Sequence, residues 1–283
     1  MADSDGIAEA IAVLPQIPRY EGLEVWDSTG INYPHLTFEG RVRPGFVAVP
    51  EPDLDKYGYG IYVAGTIGSR VYGVAKRTQL ISTRAFLVES GMQALYLDHP
   101  AGPRLGYQRH HYQEAPDCQR IDMSNAFSEN FNALVAAPDA LGMTTVVAAG
   151  NEGVPAVTTS PVSSPHAITI GAIAAGNVEA SSKWVIALDV FAPGVDAQSA
   201  YIGSPVVMTT KSGMSMASPH ICGLTVELKL LDFLSDGKTV AARIDALATK
   251  SVVIGDGPGS PNKLALNRGV TLGPIVSLNA ARI

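Results

Sequence analysis

Gly213-Met214-Ser215-Met216-Ala217-Ser218-Pro219-His220 is the stretch whose reading decides the fold of this chain. A serine framed by glycine and small residues at a helix start has its hydroxyl in the positive partial charge of the helix N-terminus, and its small neighbours let a substrate backbone approach. Ser215 is therefore a candidate nucleophile. Taken alone, the octapeptide also reads as a tight turn with a serine N-cap.

Two further segments bear on that choice: Val146-Val147-Ala148-Ala149-Gly150-Asn151-Glu152-Gly153 and Gly68-Ser69-Arg70-Val71-Tyr72-Gly73-Val74-Ala75-Lys76. With the serine segment they resemble the signature blocks of the subtilisin-like serine proteases, in the family's order and at similar spacing. The Gly68 to Lys76 block is closest to the proteinase K branch. The resemblance runs from about Gly22 to about Val270. It implies an α/β, three-layer fold, a mostly parallel central sheet with helices on both faces, as a single domain over residues 1–283. Residues 1–21 form a short N-terminal extension, and residues 90–128 form a divergent region.

The chain departs from the family at the base. Val63-Ala64-Gly65-Thr66 matches a family block, but Tyr59-Gly60-Ile61-Tyr62 precedes it, so the catalytic histidine of the resemblance falls on Tyr59 and a second histidine on Tyr62. A phenol ionises near pH ~10 and an imidazole near ~6.5, so at neutral pH a tyrosine donates hydrogen bonds well and accepts protons poorly. The family's Asp-Thr-Gly turn appears as Asp27-Ser28-Thr29-Gly30. Counting back from Phe38-Glu39-Gly40-Arg41 puts Ser28 on the triad acid, whereas counting along Leu23-Glu24-Val25-Trp26 puts Asp27 there. A one-residue slip turns a strand side chain to the other face, so only one of them points at the site unless a bulge intervenes; Ser28 is the preferred reading. Asn151 falls where the family keeps its oxyanion-hole amide. By the same resemblance, Tyr62, His99, Met123, Ser124 and Met214 are candidate substrate-binding residues.

In the divergent region the family's Leu-Gly-Gly, which pairs with an extended peptide, is missing, and Ile121-Asp122-Met123-Ser124-Asn125 stands in its place. His99, His110 and His111 lie there, and solvated loop histidines are the favoured reading over a relocated base or a metal site. The adjacent pair His110 and His111 points in different directions on either regular element. Leu188-Asp189-Val190-Phe191 resembles the proteinase K segment whose aspartate binds calcium with two carbonyls, which map to Pro165 and Ala167. One carboxylate implies a weak site. His220 and His35 fall on positions the family keeps and read as structural.

The formal charge of -6 argues against a nucleic-acid or anionic-membrane partner, and basic residues are scattered. No apolar run of about 18 residues is present, so no membrane span is expected. The two cysteines, Cys118 and Cys222, make at most one disulfide, and Cys222 reads as a buried thiol. The start Met1-Ala2-Asp3-Ser4-Asp5-Gly6 does not resemble a signal peptide, so a cytoplasmic protein is expected.

Strands are expected at Glu24 to Asp27, Thr78 to Ser82 and Thr144 to Ala149. Helices are expected at Gly60 to Ser69, Asn130 to Leu141, from Ser215 through Leu228, and at Thr239 to Lys250. Retained hydrogen-bond donors, a lost base and a lost peptide strand together predict a repurposed, cofactor-free enzyme. Its carbonyl-bearing small-molecule substrate would undergo cyclisation, isomerisation or cycloaddition, promoted by Asn151, Ser215 and Tyr59. Two alternatives stay open: residual serine hydrolase or acyltransferase chemistry at Ser215, and a non-catalytic pseudoprotease that binds a partner.

Overall fold

Runs of β-branched and small apolar residues, such as Thr144 to Ala148 and Ala167 to Ile173, carry no polar alternation, which fits strands covered on both faces. The computed structural model describes residues 23–26, 30–47, 55–84, 118–121, 125–150, 158–178, 188–257 and 259–267. In chain order the first half holds β1 (Leu23–Trp26), β2 (Val42–Val47), α1 (Tyr59–Gly68), β3 (Leu80–Arg84), β4 (Cys118–Ile121), β5 (Asn125–Ala126), α2 (Glu129–Asp139) and β6 (Thr144–Ala148). The second half holds β7 (Thr159–Ser160), β8 (Ala167–Ile173), β9 (Val190–Pro193), β10 (Ala197–Ala200), β11 (Met208–Lys211), α3 (Met214–Asp232), α4 (Gly237–Leu247), β12 (Thr249–Lys250) and β13 (Lys263–Leu264).

Nine strands form one sheet in the order β12-β13-β9-β8-β6-β4-β1-β3-β2. Every pairing in it is parallel except β12 with β13. β6 is buried at all of its residues and β8 at all but the first, so both faces of the sheet centre are covered. This is the α/β architecture with a mostly parallel sheet that the sequence implies. Pro44 lies in β2 at the sheet edge, where a residue without an N–H costs no ladder bond.

The long helix α3 packs on β4, β6, β8 and β9 and against α1. Gly223 makes the contact of α3 with α1 and the segment after it close: a Cβ there would lie 3.1 Å from Ile67 O on α1 and 2.7 Å from the Cβ of Val74 beyond it. Phe131 and Val135 on α2 join the core with Phe38 and Phe191. Among the described residues no helix is long and apolar enough to cross a membrane.

Candidate active site

Two helix N-termini build the site. α1 starts at Tyr59 because Asp55, 3% exposed, gathers the free amides ahead of it. Its Oδ1 accepts from Tyr57 N and Gly58 N at 2.8 Å each, and its Oδ2 accepts from Ile61 N at 2.9 Å. Gly58, with φ 80°, offers no side-chain cap, so the aspartate three residues upstream does that work. Gly60 brings the turn after β1 against the helix start, since a Cβ there would lie 2.0 Å from the Gly30 carbonyl oxygen.

α3 starts at Met214 after Gly213, whose φ of 151° suits glycine and whose N–H donates to Gly194 O at 2.8 Å. Ser215 is half-buried in the first turn. Pro219 has no N–H, so the Ser215 carbonyl lacks its intrahelical donor four residues on. Arg120 of β4 supplies that donor instead, with Nη2 at 2.8 Å from Ser215 O. The same Nη2 donates to the Tyr59 hydroxyl at 3.3 Å, and Nε donates to Ser218 Oγ at 2.7 Å. Arg120 is 0% exposed, and its guanidinium carbon lies 5.8 Å from the Tyr59 ring centroid. One buried cation therefore ties the tyrosine that opens α1 to the serine in the first turn of α3.

Tyr62 and Met214 are corrected as substrate-binding residues. Tyr62 is 0% exposed: it lies one turn inside α1, its hydroxyl donates to Ala197 O at 2.5 Å, and burial pushes its phenol up, only partly opposed by the Lys211 backbone amide. Met214 is 1% exposed and belongs to the core. Neither offers surface to a ligand. Tyr59, by contrast, is half-buried. Asp27, Ser28, Asn151, His99, His110, His111, Met123 and Ser124 lie outside the described residues.

His220 sits one turn beyond Ser215 and is buried, with Nδ1 against Met216 O at 3.1 Å. Burial pushes its imidazole down to about 4, so it is neutral over most of the pH range and already committed to the helix backbone. His35 also serves structure, with Nε2 donating to Val207 O at 2.9 Å while Nδ1 accepts from Thr37 N.

The calcium expectation rests on Asp189, Pro165 and Ala167. Asp189 is exposed as a residue, yet neighbouring groups partly desolvate its carboxyl and push it up, opposed by the Thr169 amide and Lys263. Its Oδ2 already accepts from Thr169 N at 2.7 Å. Among the described residues no group of three or more His, Cys, Asp or Glu converges. Pro165 lies in the turn before β8, and Ala167 opens that strand.

Sequence reasoning missed Arg120 and Asp55. A lone arginine in a buried strand between Cys118 and Ile121 was the available signal, because a charge there needs partners. Asp55, placed just ahead of an expected helix, was the second.

A mostly parallel α/β sheet with Tyr59 and Ser215 in the first turns of two helices joined through Arg120 is the arrangement to be compared with known proteins. The profile of the Subtilase family matches residues 25–247, and the chain belongs to that family. It is 42% identical over 243 residues to Alkaline protease 1 of Aspergillus clavatus, covering 84% of this chain and 59% of that protein. It is 40% identical over 251 residues to Subtilisin-like proteinase Mp1 of Magnaporthiopsis poae, covering 86% of this chain and 62% of the relative. The chain thus spans roughly six-tenths of the length of these relatives. A crystal structure of a cold adapted subtilisin-like serine proteinase superposes with a TM-score of 0.73 at 26% identity, covering 86% of each chain. These relatives overturn the expected non-proteolytic cyclase or isomerase: proteins about 40% identical over most of the chain carry protease names.

Proposed function

We propose that this chain is a serine peptidase with an altered triad, in which Ser215 is the nucleophile and the phenolate of Tyr59, in the place the resemblance gives to a histidine, receives its proton. The observation that carries this reading is the shared donor. One nitrogen of Arg120 bonds both the Tyr59 hydroxyl and the Ser215 backbone, so the two helix starts are held as a unit. His220, the histidine nearest in sequence to the serine, is buried and neutral and offers no substitute.

In this mechanism the Ser215 hydroxyl attacks a peptide carbonyl and its proton passes to the Tyr59 phenolate oxygen. The resulting phenol returns that proton to the leaving amine as the acyl–enzyme forms. Water then attacks the ester while Tyr59 takes up the water's proton, and the phenol gives that proton to Ser215 Oγ as the acid product leaves, which restores the serine hydroxyl and the phenolate. The active fraction is the ionised phenol. With an unperturbed phenol near pH ~10, that fraction is about 10⁻³ at pH 7 and grows about tenfold per pH unit. Peptide turnover is therefore slow at neutral pH and climbs into the alkaline range.

The test is release of new amines from casein-derived peptides between pH 7 and pH 10, compared among the native protein, Ser215→Ala and Tyr59→Phe. Ser215→Ala should fall to the buffer rate at every pH, and Tyr59→Phe should lose the alkaline rise. Release that survives Ser215→Ala would rule the reading out.

A further inference from the structure

We propose that Arg120 is a positioning residue for the proton acceptor: its buried guanidinium holds the Tyr59 hydroxyl beside Ser215 and favours the ionised phenol. This rests on the reading of Tyr59 as the acceptor for Ser215. The observations are geometric. Arg120 reaches from β4 beneath both helix starts, bonds the Tyr59 oxygen at 3.3 Å, and anchors itself on Ser215 O and Ser218 Oγ. A fully buried guanidinium is far less screened than a surface one, so its pull on a neighbouring oxygen is strong.

The simpler role for Arg120 is purely structural, filling the carbonyl that Pro219 leaves without a donor. That role needs only the bond to Ser215 O. It gives no reason for the same nitrogen to face a phenol oxygen rather than a carbonyl or a water. A cation at hydrogen-bond distance stabilises the phenolate over the phenol, and Tyr59, as the first residue of α1, also has the positive end of that helix.

The charges on the surrounding elements are mixed. Asp55 sits in the same turn, and its carboxylate, engaged by three amides, opposes a second negative charge. Lys211 on β11 lies 5.9 Å from the ring centroid of Tyr62, one turn further along α1, and 4.9 Å from that of Tyr201. The first turn of α3, from Met214 to Ser218, carries no titratable side chain. The two tyrosines then separate by environment: burial disfavours the anion of Tyr62, whose hydroxyl donates to Ala197 O, while Tyr59 has the guanidinium.

The test is a near-ultraviolet absorbance titration of the folded protein, native minus Tyr59→Phe, which isolates one phenol among the ten tyrosines. Tyr59 is expected to ionise at lower pH than the ordinary ~10. Arg120→Met should raise its midpoint by at least one pH unit, a tenfold loss of phenolate at fixed pH, and Arg120→Lys, which keeps the charge, should fall between. A midpoint at or above the ordinary value in the native protein, or one unmoved by Arg120→Met, would overturn the proposal. Should Arg120→Met fail to fold, the native difference titration still decides. No substrate enters this measurement, so early ionisation without peptide release would count against the peptidase reading and in favour of Arg120.

Discussion

At the residue scale, three side chains carry the account: Asp55, Tyr59 and Arg120. Asp55 leaves its mark on stability. Removing its carboxylate with Asp55→Ala strips partners from the amides of Tyr57, Gly58 and Ile61 at the start of α1. Each buried donor left unsatisfied costs about 1–3 kcal/mol, though relaxation and water recover part of the sum. Denaturant unfolding should show a loss of at least about 2 kcal/mol for Asp55→Ala and a smaller one for Asp55→Asn, which keeps one acceptor oxygen. An unchanged midpoint for Asp55→Ala would mean that the turn holds Tyr59 without it. The segments that carry Ser215 and Tyr59 were legible as family blocks because each is contiguous in sequence. Arg120 was not, because its partners Ser215 and Ser218 are 95 and 98 residues away and sequence periodicity carries no such pairing.

At the scale of elements, the contact between β4 and α3 positions the serine. Cys118 and Arg120 alternate by two along the strand and meet Cys222 and Ser218, four apart on the helix. These are two rungs of one ladder. The Cys118 and Cys222 sulfurs lie 2.8 Å apart, both fully buried and both free thiols, as expected for Cys222. Mild oxidation with hydrogen peroxide should close the pair, two thiols giving one disulfide and two waters. A link across 104 residues of separation is worth roughly 4–5 kcal/mol in the chain-entropy view. Denaturing mass analysis should show the loss of two hydrogens, and the unfolding midpoint should rise and fall back on reduction. Unchanged mass after oxidation would contradict that placement. Helix positions were read well from apolar spacing, with α1 and α3 each starting within a residue of expectation. The last helix was placed too far along the chain, expected at Thr239 to Lys250 and found at Gly237–Leu247: the chain turns at Ala248, and Thr249–Lys250 pairs with β13 instead, a tertiary choice that local propensity does not encode.

At the scale of the whole molecule, the sheet and α3 set the pH response through two oppositely shifted groups on one helix. Burial pushes His220 down to about 4, so the unfolded chain binds its proton more readily and stability falls as pH drops from about 6.5 towards 4. Burial pushes Glu227 up to about 7, with Lys76 opposing, so here stability is greatest below about 4.5 and is lost as pH rises through 7. The slopes oppose each other between pH 4.5 and 6.5, and the native protein should show a nearly flat unfolding midpoint there. Glu227→Gln removes one limb, so its midpoint should climb with pH across that window; a flat profile in this variant would contradict the assignment. The fold class was legible because the signature blocks lie on the central strands and the two site helices, whereas the function was misjudged by weighing lost residues above a shared scaffold. The most direct test of the central claim, a Ser215 nucleophile served by Tyr59, is the rate of fluorophosphonate labelling followed by intact mass from pH 7 to pH 10. The account predicts one adduct on Ser215, a rate that rises with pH, and a flat, slow rate in Tyr59→Phe. Absence of any adduct across that range, or an adduct that persists in Ser215→Ala, would contradict it.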